Sequence, residues 1–275
     1  MVHDQLPAGV SSPDVAVLGG SGFYSFLDPV ATLEPETPYG PPAGPVTVGV
    51  VDGRSVAFLA RHGPGHRFPA HQVPYRANMW ALRSVGVRQV LAPCAVGSLK
   101  VELGPGALVL PDQVLDRTRA RDRSYYDEGA VHVPFADPYC PVGRQAVLDG
   151  AARIGWHATP DGTMAVVEGP RFSSRAESRE LAATGASVVN MTGMPEAALA
   201  RELALCYTSI ALVTDRDAGV DEGAGVTQAE VFALFAEHTD RLKTLLADVA
   251  TKLPITRTCP CQSALDGIDL PVALP

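Results

Sequence analysis

Short apolar runs alternate along the chain with stretches in which apolar residues recur at helical spacing. Eight runs have the length and composition of β-strands: Val15–Leu18, Val46–Val51, Val56–Ala60, Gln89–Leu91, Ala107–Leu110, Thr163–Val167, Val188–Val189 and Ser209–Thr214. Five amphipathic stretches predict helices at Arg76–Val85, Val142–Arg153, Arg175–Thr184, Pro195–Leu203 and Thr227–Lys252. This alternation predicts an α/β fold with a central mixed, mostly parallel β-sheet flanked by helices.

The last predicted helix has the clearest pattern. Thr227 and Glu230 fit a capping box at its start. Its apolar residues form one stripe, which comprises Val231, Leu234, Phe235, His238, Leu242, Leu245, Leu246 and Val249. We expect this helix to serve packing, with His238 at the edge of the core.

Size and composition indicate one domain. The chain has 275 residues, of which 46% are hydrophobic and 19% charged, so we expect a single domain (1–275) with an N-terminal arm (1–13) and a C-terminal arm (254–275). No apolar run reaches the ~18 residues of a membrane span, and no signal peptide is apparent, which predicts a cytoplasmic protein. The net charge of −8 argues against nucleic acid and anionic membranes as partners.

The cysteines and histidines do not predict a metal site. The five cysteines are scattered, which favours small buried hydrophobic residues over a disulfide framework. Cys259-Pro260-Cys261 is tighter than the usual zinc spacing, and no second Cys or His pair follows it. His62, His66 and His71 lack the spacing of a zinc motif.

Two carboxylates end the last apolar run, in Val213-Thr214-Asp215-Arg216-Asp217. Strand alternation places Asp215 and Asp217 on the same side of the chain. Open α/β sheets bind ligands beyond the carboxyl ends of their strands, so the pair is a candidate binding element. The alternative is a solvated loop in which Asp215 pairs with Arg216 or with a nearby lysine.

Other strand ends carry groups suited to an anion. Gly19-Gly20-Ser21-Gly22 follows the first run and is a candidate phosphate loop, with a structural turn as the alternative. A dinucleotide fingerprint is disfavoured because Ser25 replaces the third glycine and Pro29 interrupts the following helix. Arg61 and His62 follow the third run, where an Arg fork can bind an oxyanion in bidentate fashion.

Two further elements follow strands. A glycine turn is predicted at Cys94-Ala95-Val96-Gly97-Ser98, and a polar element at Asn190-Met191-Thr192-Gly193. The recurrence of such elements at strand ends predicts one composite site for a small molecule.

Read together, long blocks of this sequence resemble the methylthioadenosine phosphorylase branch of the purine nucleoside phosphorylase family. The blocks are Gly19–Gly22, Arg61–Gly63, Pro74–Asn78, Gly97–Leu99, Asp112–Thr118, Glu168–Ser178 and Asn190–Glu196. The resemblance implies a three-layer phosphorylase fold and a trimer or dimer of trimers. It also implies inorganic phosphate as co-substrate, with no organic cofactor and no metal.

The resemblance assigns roles to individual residues. Phosphate ligands would be Ser21, Arg61, His62 and Thr192, with Cys94 and Ala95 beside them; animal members carry a threonine at the position of Cys94. Met191 would orient the ribose, while Phe172, Ser173 and Thr214 would line the pocket and Asp215 and Asp217 would read the purine. His66, together with His132 and the C-terminal arm of a neighbouring subunit, would surround the 5′ substituent.

The implied reaction is phosphorolysis of 5′-methylthioadenosine to adenine and 5-methylthioribose 1-phosphate, in methionine and purine salvage. We expect Asp217 to donate a proton to purine N7, since burial and the nearby Asp215 would raise its pKa, while the other carboxylate accepts from the 6-amino group. Arg61→Ala is predicted to weaken phosphate binding and leave the fold intact.

Other functions stay open at this point. A 6-oxopurine phosphorylase acting on methylthioinosine, inosine or guanosine is disfavoured because an amide would suit a 6-oxo group better than paired carboxylates. A 5′-deoxy-5′-haloadenosine phosphorylase would need the same apolar 5′ pocket. A non-catalytic nucleoside-binding module would have no need for a phosphate site.

Overall fold

The computed structural model describes residues 6–220 and 225–275. Its five α-helices are α1 (Tyr75–Ser84), α2 (Pro141–Arg153), α3 (Arg175–Ala183), α4 (Gly193–Glu202) and α5 (Gln228–Lys252). Its strands are β1 (Val15–Gly19), β2 (Ala31–Leu33), β3 (Val46–Val51), β4 (Arg54–Ala60), β5 (Gln89–Ser98), β6 (Leu108–Val109), β7 (Gln113–Asp116), β8 (Ala158–Thr159), β9 (Thr163–Val166), β10 (Val188–Asn190) and β11 (Cys206–Arg216).

The strands form one mixed sheet in which parallel pairs outnumber antiparallel ones, as the sequence predicts. The main path runs β2-β3-β4-β1-β5-β10-β9-β7. The long central strand β5 also pairs in parallel with β11, from Cys206 opposite Gln89 to Arg216 opposite Ser98. Because β5 exchanges its neighbour β1 for the antiparallel β10 near its end, the sheet divides there and leaves space for a site.

Helices cover both faces of the sheet, which makes three layers. Along β1, Ala16 and Leu18 belong to a core shared with α1 and α4, whereas Val15 and Val17 face a second core with α2 and α5. Every residue of β1 is buried. A strand covered on both faces must be apolar throughout, which explains why these strands read as continuous hydrophobic runs.

All the predicted helices and strands are present, with shifted ends. Three short strands were not predicted: β2, β7 and β8, each of two to four residues. The predicted glycine turn at Cys94–Ser98 is wrong, because β5 continues through these residues and pairs with β11.

The C-terminal segment packs against its own chain. After α5 it forms a short 3-10 helix, Pro260–Ser263, around the buried Cys261. Farther on, Leu274 packs against the main core and Arg83 Nε donates to the Pro275 carbonyl at 3.1 Å. The predicted N-terminal arm is described only from residue 6, where Leu6 and Val10 contact the same core. None of the helices in the described ranges is long and apolar enough to cross a membrane.

Candidate active site

The ends of β1, β4, β10 and β11 meet beside β5 around a cavity of about 290 Å³. Its lining includes these predicted site residues: Ser21, Arg61, His62, His66, Cys94, Ala95, Phe172, Ser173, Met191, Thr192, Thr214, Asp215 and Asp217. His132 is the one predicted site residue that the structure does not bring to this cavity. It lies exposed on the loop between β7 and α2.

A buried ion pair that the sequence analysis missed fixes Arg61. Its Nε donates to Glu196 Oε2 at 2.7 Å and its Nη2 donates to Glu196 Oε1 at 2.9 Å. Tyr207 OH also donates to Oε1, at 2.5 Å. Each side chain of the ion pair is 1% exposed. Burial alone would lower the pKa of Arg61, but Glu196 raises it above the ordinary value, so the guanidinium stays charged.

This pairing corrects the expected mode of anion binding. Arg61 Nη1 also donates to the Pro93 carbonyl, at 3.2 Å. Three of the five guanidinium N–H groups are thus engaged within the protein, and two are left for a ligand. Arg61 therefore cannot bind phosphate through its Nε–Nη2 edge, which Glu196 occupies.

Gly20 explains part of the glycine-rich loop. A Cβ atom at this position would lie 2.9 Å from Arg61 Nη1 and 2.9 Å from the Pro93 carbonyl oxygen. Those contacts are too close for a side chain. The loop can approach the guanidinium only as glycine, and it brings Ser21 to the edge of the same cavity.

His62 is neutral. Burial, with contributions from His66 and Arg61, lowers its pKa to about 3. Its Nδ1 lies 2.8 Å from the Phe68 carbonyl oxygen, which can only accept a hydrogen bond, so Nδ1 carries the proton. Nε2 of the neutral ring is then an acceptor. The sequence analysis named His62 as a phosphate ligand, and the structure places its neutral ring at the cavity.

An aromatic group forms one end of the cavity. The ring of His66 stacks on His62 at 4.1 Å, and Tyr24 OH lies 3.1 Å from His66 Nδ1. The ring of Phe232, from the first turns of α5, lies 5.9 Å from His66. Burial lowers the pKa of His66 as well, which favours its neutral form.

Helix α5 therefore does more than pack. Phe235, Leu242 and Leu245 are fully buried, as the apolar stripe predicts. Gln228, Val231 and Phe232 line the cavity instead, and the sequence analysis missed this role. His238 lies at the core edge, where its ring stacks on Trp156 at 6.0 Å.

The two aspartates line the cavity at the end of β11, where a β-bulge lies between Val213 and Asp215. Asp217 is 2% exposed, and its Oδ2 has no hydrogen-bond partner among the described residues. Burial, followed by the charge of Asp217, raises the pKa of Asp215 to about 6, although a 2.7 Å hydrogen bond from Thr214 opposes the shift. The alternative of a solvated loop with an Asp215–Arg216 pair does not hold.

Cys94, Asn190 and Thr192 also line the cavity. Cys94 is 5% exposed, and burial raises the pKa of its thiol to about 11, so it is present as a neutral thiol. Asn190 Oδ1 accepts from the backbone N–H groups of Thr192 and Gly193, at 2.7 and 2.6 Å. Those two N–H groups are thereby satisfied within the protein, and the Thr192 hydroxyl also donates to Asn190 Oδ1, at 3.3 Å.

Known proteins match this chain over most of its length. The family model described as the phosphorylase superfamily covers residues 14–253. The chain belongs to the phosphorylase superfamily. This phosphorylase is 55% identical over 273 residues to the purine nucleoside phosphorylase of Streptomyces coelicolor, which covers 95% of this chain and 98% of the relative.

Two further matches are named methylthioadenosine phosphorylases. The phosphorylase is 53% identical over 263 residues to the S-methyl-5′-thioadenosine phosphorylase of Mycolicibacterium smegmatis, covering 95% of this chain and 99% of the relative. The solved structure of methylthioadenosine phosphorylase from Schistosoma mansoni in complex with adenine matches with a TM-score of 0.84 at 33% identity, covering 87% of this chain and 91% of that chain. This phosphorylase is a pentosyltransferase of the purine nucleoside type, acting on a nucleoside and phosphate.

Proposed function

We propose that this phosphorylase cleaves 5′-methylthioadenosine with inorganic phosphate, releasing adenine and 5-methylthioribose 1-phosphate. The observation that carries the proposal is the aspartate pair. A 6-aminopurine offers an N–H donor at its 6-amino group and an acceptor at N7, on the same edge of the ring system. Asp217 presents a buried oxygen without a partner among the described residues, and Asp215 has a pKa raised to about 6, so the pair can supply one acceptor and one proton.

We assign the two carboxyls the reverse of the roles expected from the sequence. A proton donor must hold its proton near neutral pH, and burial raises the pKa of Asp215 to about 6. We therefore assign proton donation at N7 to Asp215. Asp217 Oδ2 accepts from the 6-amino group, which satisfies a buried oxygen that otherwise lacks a partner.

At the other end of the cavity, the phosphate dianion attacks the anomeric carbon as the glycosidic bond breaks. The transition state is oxocarbenium-like, and the dianion stabilises the positive sugar. The remaining N–H groups of Arg61 and the Ser21 hydroxyl donate to phosphate oxygens, as does the Thr192 hydroxyl once it turns away from Asn190 Oδ1. The neutral His62 accepts from the single P–OH group, which leaves the unprotonated oxygens to accept hydrogen bonds and to act as the nucleophile.

The 5′ substituent would meet the aromatic end. Phe232, Val231 and His66 form an apolar surface there, which suits a methylthio group better than a hydroxyl. Such pockets discriminate one methylene-sized difference by only ~1–3 kcal/mol, so a halogen at this position is also compatible. The contribution of a neighbouring subunit, with its His132, stays a prediction, as does the trimer that would supply it.

The test compares four nucleosides, each with and without phosphate: methylthioadenosine, adenosine, methylthioinosine and inosine. We expect phosphate-dependent adenine release, fastest from methylthioadenosine. Faster release of hypoxanthine would favour the 6-oxopurine alternative. That alternative is compatible with the name of the Streptomyces coelicolor relative, a purine nucleoside phosphorylase. Absence of release from all four would contradict phosphorolysis.

Two variants test the roles of the aspartates. Asp215→Asn should lower turnover of methylthioadenosine by ~10²–10⁴, the scale for loss of a positioned general acid. Asp217→Asn should shift preference toward methylthioinosine, because an amide can donate to a 6-oxo group. Glu237→Gln, at an exposed position on α5, is the matched control and should leave turnover unchanged. Equal effects of the two aspartate substitutions on all substrates would contradict the division of roles.

A further inference from the structure

Four of the five cysteines meet in one buried cluster outside the active site. Cys140, Cys206, Cys259 and Cys261 place all four Sγ atoms within 4.8 Å of one another. Their exposures are 2%, 3%, 4% and 1%. No second cysteine pair follows Cys259-Pro260-Cys261 along the chain, yet the fold brings Cys140 and Cys206 to it from distant segments.

Three ordered elements hold these sulfurs in place. Cys140 is the N-cap residue of α2, and Cys206 is the first residue of β11. Cys259 and Cys261 flank the start of the 3-10 helix in the C-terminal segment. Because each side chain starts from regular structure, the four-sulfur arrangement is set by the fold rather than by a flexible loop.

The spacing fits a single tetrahedral ion. Zinc binds thiolate sulfur at about 2.3 Å in a tetrahedron, which places neighbouring sulfurs about 3.8 Å apart. In the cysteine cluster the Cys206–Cys259 separation is 3.2 Å and no separation exceeds 4.8 Å. Four sulfurs this close surround the volume of one ion, whereas a multi-iron cluster would need a wider cage.

Local groups favour negative charge on the sulfurs. The backbone N–H of Gly143 donates to Cys140 Sγ at 3.4 Å, at the N-terminus of α2 where the helix dipole stabilises an anion. Arg257 Nη1 lies 4.0 Å from Cys206 Sγ. Both contacts suit a centre of four thiolates around a divalent cation, which carries a net charge of −2.

Three arginines surround the chain just before Cys206. Arg83 donates to the Leu203 carbonyl, Arg257 Nη1 donates to the Ala204 carbonyl at 2.6 Å, and the Arg88 carbonyl accepts from the Cys206 N–H at 2.9 Å. Within residues 6–220 and 225–275, the guanidinium groups of Arg88 and Arg257 form no ion pair with a side-chain carboxylate. An anionic metal centre would balance this excess positive charge.

We propose that the cysteine cluster binds one Zn²⁺ ion through four thiolates. Each thiol that coordinates releases its proton to solvent, so binding requires no oxidant or reductant. The ion would fasten the C-terminal segment to α2 and to the amino end of β11. Asp215 lies nine residues along β11, about 30 Å away at the usual rise of a strand, so the centre is structural and separate from catalysis.

The first experiment measures the metal content of the full-length protein. The chain is purified in reducing, zinc-containing buffer, separated from free metal by gel filtration and analysed by mass spectrometry of the elements. We expect one zinc ion per chain, and loss of that zinc in Cys206→Ser and in Cys261→Ser. Cys94→Ser alters a buried cysteine outside the cluster and should retain zinc, which makes it the matched control. Iron in place of zinc, or no metal, would overturn the proposal.

A second measurement uses the unmodified protein, so that it does not depend on the folding of variants. Protein purified without reductant is denatured with a chelator and its thiols are titrated. All five cysteines should react if the cluster holds zinc. Reaction of Cys94 alone would indicate two disulfides and overturn the zinc site. Replacement of zinc by Co²⁺ should give the thiolate-to-cobalt absorption of a tetrahedral site, and failure to take up Co²⁺ would count against it.

Discussion

The two ends of the active-site cavity treat buried charge in opposite ways. At the phosphate end, Arg61 is neutralised by Glu196, which in turn accepts from Tyr207. At the base end, Asp215 and Asp217 lie together, neither forms an ion pair with another described residue, and Asp217 Oδ2 is unpartnered within the described chain. Both ends are buried, so the difference lies in whether the protein supplies the counter-charge.

This difference separates geometry from proton chemistry. A guanidinium whose charge is paired has a fixed position and a fixed charge, so the phosphate end presents donors that do not change with pH. At the base end, burial raises the pKa of Asp215 and Asp217 Oδ2 has no hydrogen-bond partner among the described residues, so this end is ready to accept a hydrogen bond and to release a proton. The arrangement assigns positioning to one end and proton transfer to the other.

The largest expected effect comes from breaking the compensated end. Glu196→Ala leaves the Arg61 charge buried without a partner, and we expect the free energy of unfolding to fall by ~3–5 kcal/mol. Denaturant titration measures it. Arg61→Ala should also destabilise the protein, because it leaves the Glu196 charge buried without a partner. This revises the sequence-based expectation that the fold stays intact.

A double variant provides the control. Arg61→Met combined with Glu196→Gln removes both charges and keeps an acceptor for Tyr207. It should be more stable than Glu196→Ala, since no buried charge is left unpaired. If the losses of unfolding free energy in Arg61→Met and in Glu196→Gln add up to the loss in the double variant, the two side chains do not act as a pair.

At the base end, removing a charge should stabilise the protein instead of destabilising it. The pKa of Asp215 is about 6 in the folded protein against 3.8 ordinarily, so the residue is protonated in both states well below pH 4. As pH rises through 6, the folded state must hold a buried charge, at a cost of up to about 3 kcal/mol. Asp215→Asn should therefore stabilise the protein above pH 6 and have little effect near pH 3.

Asp248 offers the contrasting control for that measurement. Burial raises the pKa of Asp248, but hydrogen bonds from Arg153 and Lys252 outweigh it and lower the pKa. Asp248→Asn should destabilise the protein at neutral pH. If both substitutions shift stability in the same direction at pH 8, the distinction between paired and unpaired carboxyls fails.

A smaller loss of stability is expected from removing the hydrogen bond between Tyr207 and Glu196 at the phosphate end. Tyr207→Phe removes the hydroxyl that donates to Glu196, and hydrogen bonds to charged groups contribute ~1.5–3 kcal/mol. We expect a loss of stability in that range with the phosphate KM little changed, because Tyr207 touches Glu196 and not the ligand donors. A large rise in KM with unchanged stability would place Tyr207 at the phosphate instead.

The pH dependence of turnover should report the base end. If Asp215 donates the proton, kcat/KM for methylthioadenosine at saturating phosphate falls above about pH 6, approaching tenfold per unit, or about 1.4 kcal/mol. Asp215→Asn cannot titrate and should lose this dependence while keeping that of phosphate itself. An identical profile in the two proteins would exclude Asp215 as the titrating donor.

Local hydrophobic patterns in the sequence predicted most of the fold. Long helices and buried strands have periodicities that a sequence shows directly, whereas β7 and β8 are too short to have one. The extension of β5 through Gly97 was missed because glycine next to serine is typical of a turn. Only pairing with β11 holds these residues in a strand.

The sequence predicted the site residues that directly follow strands. It did not predict those whose contacts join residues far apart in the sequence. Strand ends and the family resemblance together marked the residues from Ser21 to Asp217 that line the cavity. Glu196 lies 135 residues from Arg61, and no local signal joins them. Phe232 falls in a helix whose apolar stripe also serves the core, so periodicity cannot tell which apolar residue faces the substrate.

The neutralised Arg61 also decides how phosphate reaches its site. A cavity with a free cation would draw the dianion in from a distance, and added salt would slow that capture. Here the guanidinium is paired, His62 is uncharged and the protein as a whole carries −8, so there is no long-range attraction to screen. Capture of phosphate then depends on short-range donors at the cavity wall, and its rate constant should hold steady or rise as ionic strength increases.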